Sequence, residues 1–486
     1  MFRWFRGPLQ WAWNLIYLTV GEEARAGRAA GPQRKATMDY ADRLEQVAVL
    51  GAAGKMGSGI VLLTSLEMAE LALRPEHRSR TFVLHAVDIS NQALSGLVKY
   101  VREQARKAAE KRVVALRQAY ADRADLVSNE EIVEQYVTDV VDIVRPTTTL
   151  AAAAEARVVF EAAPEDLELK LRLLEPVATD NPAGPWVFTN TSSIPIAEID
   201  ERARLGGRIM GFHFYNPPAV QKLVELIPAA TTRPEVAGFA EVLAKNLRKT
   251  VVHSRDVAGF IGNGHFMRDL LFGAGEVERL QAQMPFVEAV YTVNRVSQDF
   301  LVRPMGIFQL VDYVGLDVCQ CILRVMDARL PERLHSPLID RLLAAGVKGG
   351  QNHDGSQKDG FLQYAQGKPT AAYDPAAGSY VPFAGFQAAC DQRLGPLPEP
   401  PLPWKAAVRH PAREEALADF FRRLGQMETL GADLAERHGA RSREIGERLV
   451  ADGVAHSPAD VNQVLLTGFF HVYGPINDYF SLGVKR

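Results

Sequence analysis

Taking a proton from an alcohol calls for a neutral imidazole held by a carboxylate. The stretch from Asn190 to Glu225 holds both groups. Trp186–Thr189 reads as an apolar strand that runs into the polar turn Asn190-Thr191-Ser192-Ser193. A short helix opened by Pro195 follows, then a second strand, Arg208–His213, that stops at HFYNPP. Open α/β sheets carry their chemistry at strand ends and in the loops beyond them. That reading puts Asn190, Ser192, His213 and Asn216 in such positions. Glu225 lies in the apolar run LVELI, so its carboxylate is half-buried and needs a partner. Taken as an isolated histidine and an isolated glutamate, the two read more readily as a capping residue and a surface charge. The upstream sequence decides between these readings.

Gln46–Leu50 (QVAVL) is a short strand-type run, followed at once by GAAGKMGSGI and a helix-spaced segment to about Leu73. A buried strand, a glycine turn and a helix form the first half of a nucleotide-binding unit. In it Gly51, Ala53, Gly54, Lys55, Met56 and Gly57 would cradle a pyrophosphate at the helix N-terminus. With Gly59 the pattern is GxxGxxGxG and not strict GxGxxG, and glycine-rich turns of this kind also occur without a ligand. The next strand, Thr81–Val87, ends in Asp88, placed to accept hydrogen bonds from an adenosine ribose. No arginine follows to meet a 2′-phosphate, which favours NAD over NADP. The interval from Gly57 to Asp88 exceeds the usual ~20 residues, and a polar loop at Arg74–Arg80 accounts for the excess. Residues 91–143 read as two antiparallel charged helices with a basic face of Lys99, Arg102, Arg106, Lys107, Lys111 and Arg112. Such a face is usually solvated surface, but beside a nucleotide site it could hold a substrate phosphate. Arg157–Phe160 is a further buried strand.

The chain has 486 residues, 47% hydrophobic and 23% charged, with a net charge of −3. This is an ordinary globular composition, long enough for two to four domains, with no charge excess to suggest a nucleic-acid partner. Three cysteines, Cys319, Cys321 and Cys390, do not make a disulfide framework. A reducing cytoplasm is the expectation. Cys319-Gln-Cys321 has no companion histidines or cysteines, so it reads as core and no metal is expected. The first residues carry a twelve-residue apolar run, Leu9–Val20, too short to span a bilayer. The readings are a peripheral amphipathic anchor, a disordered leader or a true start at Met38, the last two preferred. The expected organisation is an N-terminal extension over 1–37 and a Rossmann-type doubly wound α/β domain over 38–230, with the helical arm at about 91–143. All-α C-terminal units follow at 231–344 and 405–486, joined by an extended excursion over 345–404 that is rich in glycine and proline. Val293-Asn294-x-Val296, Gly306 and Gly315 recur as Val461-Asn462-x-Val464, Gly474 and Gly483 at a constant offset of 168, which points to a duplicated helical unit.

Together these pieces resemble the L-3-hydroxyacyl-CoA dehydrogenase family. The resemblance rests on GAAGKMGSGI, FEAAPEDLELK, NTSS, GFHFYNPP with LVEL, GFIGN, and RPMGIFQLVDYVGLD. They stand in the family's order and near its spacing over roughly residues 45–330. It implies NAD-dependent oxidation of an L-3-hydroxyacyl-CoA to the 3-oxoacyl-CoA, as in β-oxidation, by a monomer or homodimer without an integral membrane span. His213 would be the general base and Glu225 its support, while Ser192 and Asn263 would hydrogen-bond the reacting oxygens. Glu165, Lys170 and Asn190 would line the nicotinamide half of the cofactor, Lys111 would touch CoA and Asn216 would lie near the acyl chain. No crotonase-like segment is present, so no hydratase activity is expected. The departures are the glycine pattern, Gly262 and Gly264 in GFIGNG, Ile307 in place of a proline, and an insertion before Gly360-Phe361-Leu362-Gln363-Tyr364. Two further readings compete: a dehydrogenase of a free 3-hydroxy acid on the same fold, and a non-catalytic NAD-binding scaffold.

Overall fold

The computed structural model describes residues 40–352 and 355–480. The expectations for residues 1–37 and for Gly483 concern positions outside them. The described residues form two compact units that divide between Val257 and Ala258.

The first unit is built on an eight-stranded sheet in the order β3-β2-β1-β4-β5-β6-β7-β8. Its strands are β1 Gln46–Leu50, β2 Val83–Val87, β3 Val144–Thr147, β4 Val158–Glu161, β5 Trp186–Thr189, β6 Ile209–Phe214, β7 Leu223–Ile227 and β8 Thr250–His253. The pairings are parallel except for β6 with β7. The first six strands follow the doubly wound dinucleotide-fold order, with its switch point between β1 and β4. β1 and β4 are apolar almost throughout because helices cover both faces of a central parallel strand. β3 escaped the sequence reading. Its Val-Arg-Pro-Thr follows a helix without a turn, and only its place at the sheet edge accommodates Pro146.

The boundary expected at 230 is corrected to 257. The helix Pro234–Asn246 packs Phe239 against Trp186 and Phe188, and β8 completes the sheet beside β7. The glycine turn leads into α1 (Lys55–Ala72). The arm is three helices and not two: α2 (Asn91–Lys111), α3 (Val113–Ala119) and α4 (Asn129–Ile143). The chain turns at Arg112, whose guanidinium pairs with Glu70 of α1, and Arg106 pairs with Glu134 of α4.

The second unit is mainly helical. After α5 (Leu167–Asp180) and α6 (Ile196–Arg202) of the first unit come α7 (Gly262–Leu280), α8 (Phe286–Arg295), α9 (Ile307–Val314), α10 (Leu430–Ala451) and α11 (Pro458–Gly468) of the second. α7 packs on α10. The expected excursion over 345–404 is instead part of this core. It holds a three-stranded antiparallel sheet, Leu362–Ala365, Lys368–Asp374 and Ser379–Pro382, and a helix, Gln387–Leu394. The Gln366-Gly367 pair, both with positive φ, makes the first hairpin turn. Phe361 stacks on Phe308 at 4.6 Å. Asn294 Oδ1 accepts from Phe308 N at 3.1 Å, and 168 residues on Asn462 Oδ1 accepts from Ile476 N at 2.9 Å. A Cβ on Gly306 would lie 2.2 Å from Asn294 Oδ1, and one on Gly474 2.3 Å from Asn462 Oδ1. Among the described residues no helix is long and apolar enough to cross a membrane.

Asp312 of α9 fastens the small sheet to the helices. Its buried carboxylate accepts from Phe361 N (2.6 Å), Leu362 N (2.9 Å) and the Tyr364 hydroxyl (2.9 Å). Asp312→Ala leaves these donors without their acceptor, at a cost of about 2–4 kcal/mol. Calorimetry should show the melting temperature lowered by roughly 5–10 °C. An unchanged melting temperature would show that the sheet does not depend on this bond.

Candidate active site

The antiparallel register of β6 and β7 sets His213 directly opposite Glu225. This explains the twelve-residue spacing: two strand positions face each other across one hairpin. His213 is 7% exposed and Glu225 is fully buried. His213 Nδ1 lies 3.2 Å from Glu225 Oε1. A carboxylate only accepts, so Nδ1 is the ring nitrogen that donates to Glu225. The strand end is held in place by Asn190, whose Oδ1 accepts from Phe214 N at 2.9 Å.

Sequence reasoning missed Tyr215. Its hydroxyl donates to the same Glu225 oxygen at 2.7 Å, and its ring centroid is 4.9 Å from that of His213. Burial, and then the charge of Glu225, push the phenol well above its ordinary range, so it stays a donor. The signal was available: positions i and i+2 at a strand end face the same side.

A second buried cluster shapes the neighbouring turn. α5 (Leu167–Asp180) follows β4, and α6 (Ile196–Arg202) follows β5. Lys170 of α5 donates to both oxygens of Glu161 at 2.9 Å and lies 3.5 Å from Glu165 Oε2. Burial alone would lower the lysine, but Glu161 and then Glu165 hold it above its ordinary value. Glu165 Oε1 accepts from the Thr191 hydroxyl (2.7 Å), Ser192 N (2.9 Å), Ser192 Oγ (3.2 Å), Ser193 N (2.9 Å) and Ser193 Oγ (2.8 Å). Burial pushes Glu165 up. Lys170 and the donors of the turn more than offset this, and the carboxylate sits below its usual range. Glu161, which also accepts from Thr189 Oγ1 at 2.6 Å, was not anticipated.

The glycine turn sits at the switch point. Gly51 has a φ of +77°, and a Cβ there would lie 2.7 Å from Ala162 O at the end of β4. A Cβ on Gly57 would lie 2.0 Å from Gly51 O. Ala53 N donates to Asp88 Oδ2 at 2.9 Å, so the expected ribose acid also fixes the turn. No side chain caps the start of α1 at Gly54, whereas Ser90, Ser128 and Asp166 cap α2, α4 and α5. Lys55 and Met56 occupy the first turn of α1, and Ile89, next to Asp88, is 97% exposed. The structure thus brings Asn190, Ser192, Glu165 and Lys170 to the ends of β4 and β5, and His213 and Glu225 to the adjacent hairpin. Asn216 is half-buried in the turn beyond β6, and Lys111 closes α2 at the surface. Asn263 belongs to the second unit, in the first turn of α7. A Cβ on Gly264 would lie 3.0 Å from Leu449 of α10, so the glycine in GFIGNG accommodates a packed neighbour. Among the described residues no group of three or more His, Cys, Asp or Glu side chains could hold a metal ion.

Residues 46–257 match the family model described as 3-hydroxyacyl-CoA dehydrogenase, NAD binding domain. Residues 285–359 match that of the 3-hydroxyacyl-CoA dehydrogenase C-terminal domain. Together the two matches cover more than half of the chain. A probable 3-hydroxybutyryl-CoA dehydrogenase of Bacillus subtilis is 28% identical over 315 residues, 64% of this chain and 96% of that one. A fatty acid oxidation complex subunit alpha of Shewanella putrefaciens is 29% identical over 363 residues, 74% of this chain but only 44% of that subunit. In fold, the chain is similar to a crystal structure of 3-hydroxybutyryl-CoA dehydrogenase from Escherichia coli. The TM-score is 0.57 at 22% identity, covering 89% of this chain and 90% of that one. On the two matched domains, the chain belongs to the 3-hydroxyacyl-CoA dehydrogenase family and is an NAD-dependent enzyme of that family.

Proposed function

We propose that His213 is the general base that removes the 3-hydroxyl proton of an L-3-hydroxyacyl-CoA, with Glu225 as its supporting carboxylate. The observation that carries this reading is the buried cross-strand pair, with Nδ1 turned to Glu225. When bound, NAD+ supplies the hydride acceptor. The chain's own part is proton transfer at Nε2. The imidazolium so formed stands against a carboxylate already in place, in an interior where that interaction is strong. In the reverse direction His213 returns the proton. Ser192 and Asn263, as hydrogen-bond donors to the reacting oxygens, and Asn216, near the acyl chain, rest on the family pattern.

The residues present fit NAD. A cradle with no room for side chains at Gly51 and Gly57, and an α1 start that no side chain caps, suit a pyrophosphate at Gly51, Ala53, Gly54, Lys55, Met56 and Gly57. Asp88 keeps Oδ1 for the ribose hydroxyls, and Ile89 offers an apolar surface beside it. Glu165, Lys170 and Asn190 would line the nicotinamide half. For CoA, Lys111, at the surface end of α2, rests on the family pattern. Fatty acid oxidation in the cytoplasm is the setting we assign. The likeness to the Shewanella putrefaciens subunit supports the pathway.

We further read the C-terminal part as a duplicated helical unit whose halves pack on each other through α7 and α10. The matching asparagine-to-turn bonds support this. The chain should then be monomeric, and light scattering should return the mass of one chain. A clean dimer would count against internal pairing.

NADH formation with L-3-hydroxyacyl-CoA thioesters tests the chemistry. His213→Ala should lower kcat/KM on the order of 10²–10⁴-fold, and Glu225→Gln about 10²-fold. Turnover that survives in His213→Ala sinks the assignment. Activity on free 3-hydroxy acids but not on CoA thioesters moves the substrate to the free acid.

A further inference from the structure

Glu225 Oε1 is asked to serve two donors at once. His213 Nδ1 reaches it at 3.2 Å and the Tyr215 hydroxyl at 2.7 Å, the tyrosine making the shorter bond. An imidazole set against a buried carboxylate binds a proton more tightly than an isolated one. Carried far enough, this turns a base into a permanent imidazolium that cannot accept the substrate's proton. A strong neutral donor on the same oxygen disperses the carboxylate's charge and weakens that pull.

We propose that the Tyr215 hydroxyl is a positioning group that holds the proton affinity of His213 down, by bonding the Glu225 oxygen that faces the imidazole. The proposal rests on the reading of His213 as general base.

Several ionisable groups on the packed elements are engaged elsewhere. β7 presents Glu225 itself, and β8 sets Val252 opposite it. β5 ends at Thr189, whose hydroxyl is bound to Glu161. The Asp200 carboxylate of α6 accepts from Gly207 N and the Thr231 hydroxyl. On the helix Pro234–Asn246, Glu241 pairs with His253. Lys249, just before β8, donates to the carbonyls of Pro218 and Gln221. Tyr215 is a neutral donor on the same Glu225 oxygen that His213 uses, placed to moderate its charge.

The experiment is a set of pH profiles of kcat/KM in both directions, with an L-3-hydroxyacyl-CoA and NAD+ one way and the 3-oxoacyl-CoA and NADH the other. Oxidation needs His213 neutral, so its acid limb reports the imidazole. Reduction needs it protonated, so its alkaline limb reports the same group. In Tyr215→Phe the Glu225 charge is no longer shared, so both limbs should move to higher pH by about 0.5–1 unit. Replacing Tyr215 by 3-fluorotyrosine, a stronger donor of nearly the same size, should move both limbs to lower pH. This second variant keeps the test open should the phenylalanine variant fold poorly. A merely structural role would lower kcat or raise KM without shifting the limbs in opposite directions in the two variants. Limbs that stay at the wild-type pH in both variants, while His213→Ala abolishes turnover, overturn the Tyr215 proposal alone. Retained turnover in His213→Ala overturns the base assignment and this proposal with it.

Discussion

A fully buried carboxylate on β7 is the constraint around which the candidate site is arranged. Glu225 has no exposure, and an ion in that position survives only with donors aimed at it. Two of them, His213 and Tyr215, come from one neighbouring strand end. Both depend on the antiparallel pairing of β6 with β7 in a sheet whose preceding strands are parallel. A slip of one residue in that register would turn Glu225 to the opposite face and leave the imidazole without its carboxylate. The bond from Phe214 N to Asn190 Oδ1 holds the hairpin to the turn after β5, so strand register and turn geometry are secured together.

The turn is organised by the same physics with the charges rearranged. One oxygen of Glu165 gathers five donors from Thr191, Ser192 and Ser193, while Lys170 bridges Glu165 and Glu161 from beneath. The lysine compensates two carboxylates at once, so removing it would leave two buried charges without their cation. Rigid polar groups at the ends of β4 and β5, fixed before any ligand arrives, are what an electrostatically preorganised site requires. The sheet order places the glycine turn and Asp88 at the ends of the adjoining strands β1 and β2.

What could be read from sequence was set by whether the determining contacts were local. β1, β5 and the start of α1 announced themselves through continuous apolar runs broken by a polar or glycine turn. Asp88 was visible for the same reason, as the acid that ends a strand. Tyr215 and Glu161 were not singled out. Their partners lie ten residues away across a hairpin and nine residues away beyond a loop, and neither residue type carries a motif by itself. The small sheet at 362–382 was hidden by its composition. A Gly- and Pro-rich stretch looks like a linker until Phe361, Leu362, Ala372 and Tyr373 are seen buried in the helical core. The unit boundary moved from 230 to 257 because β8 is short and only partly buried, so its apolar signal is weak although its pairing with β7 is complete.

The departures in GFIGNG are best understood from packing and not from the reacting groups. A glycine in the first turn of a helix ordinarily weakens it, and two there would leave Asn263 poorly held. Gly264, however, is where Leu449 of α10 comes within 3.0 Å of a would-be Cβ, so the missing side chain is replaced by a neighbour from elsewhere in the same unit. Along α10, Gly439 and Gly446 have comparably close neighbours in Phe480 and Ile476. Small residues at such contacts let the helices and the chain after α11 approach closely, and the apolar area so buried offsets the backbone freedom the glycines give up. The helix start that carries Asn263 is thereby held by residues nearly two hundred positions downstream. This couples the C-terminal helices to a residue whose proposed work is at the substrate.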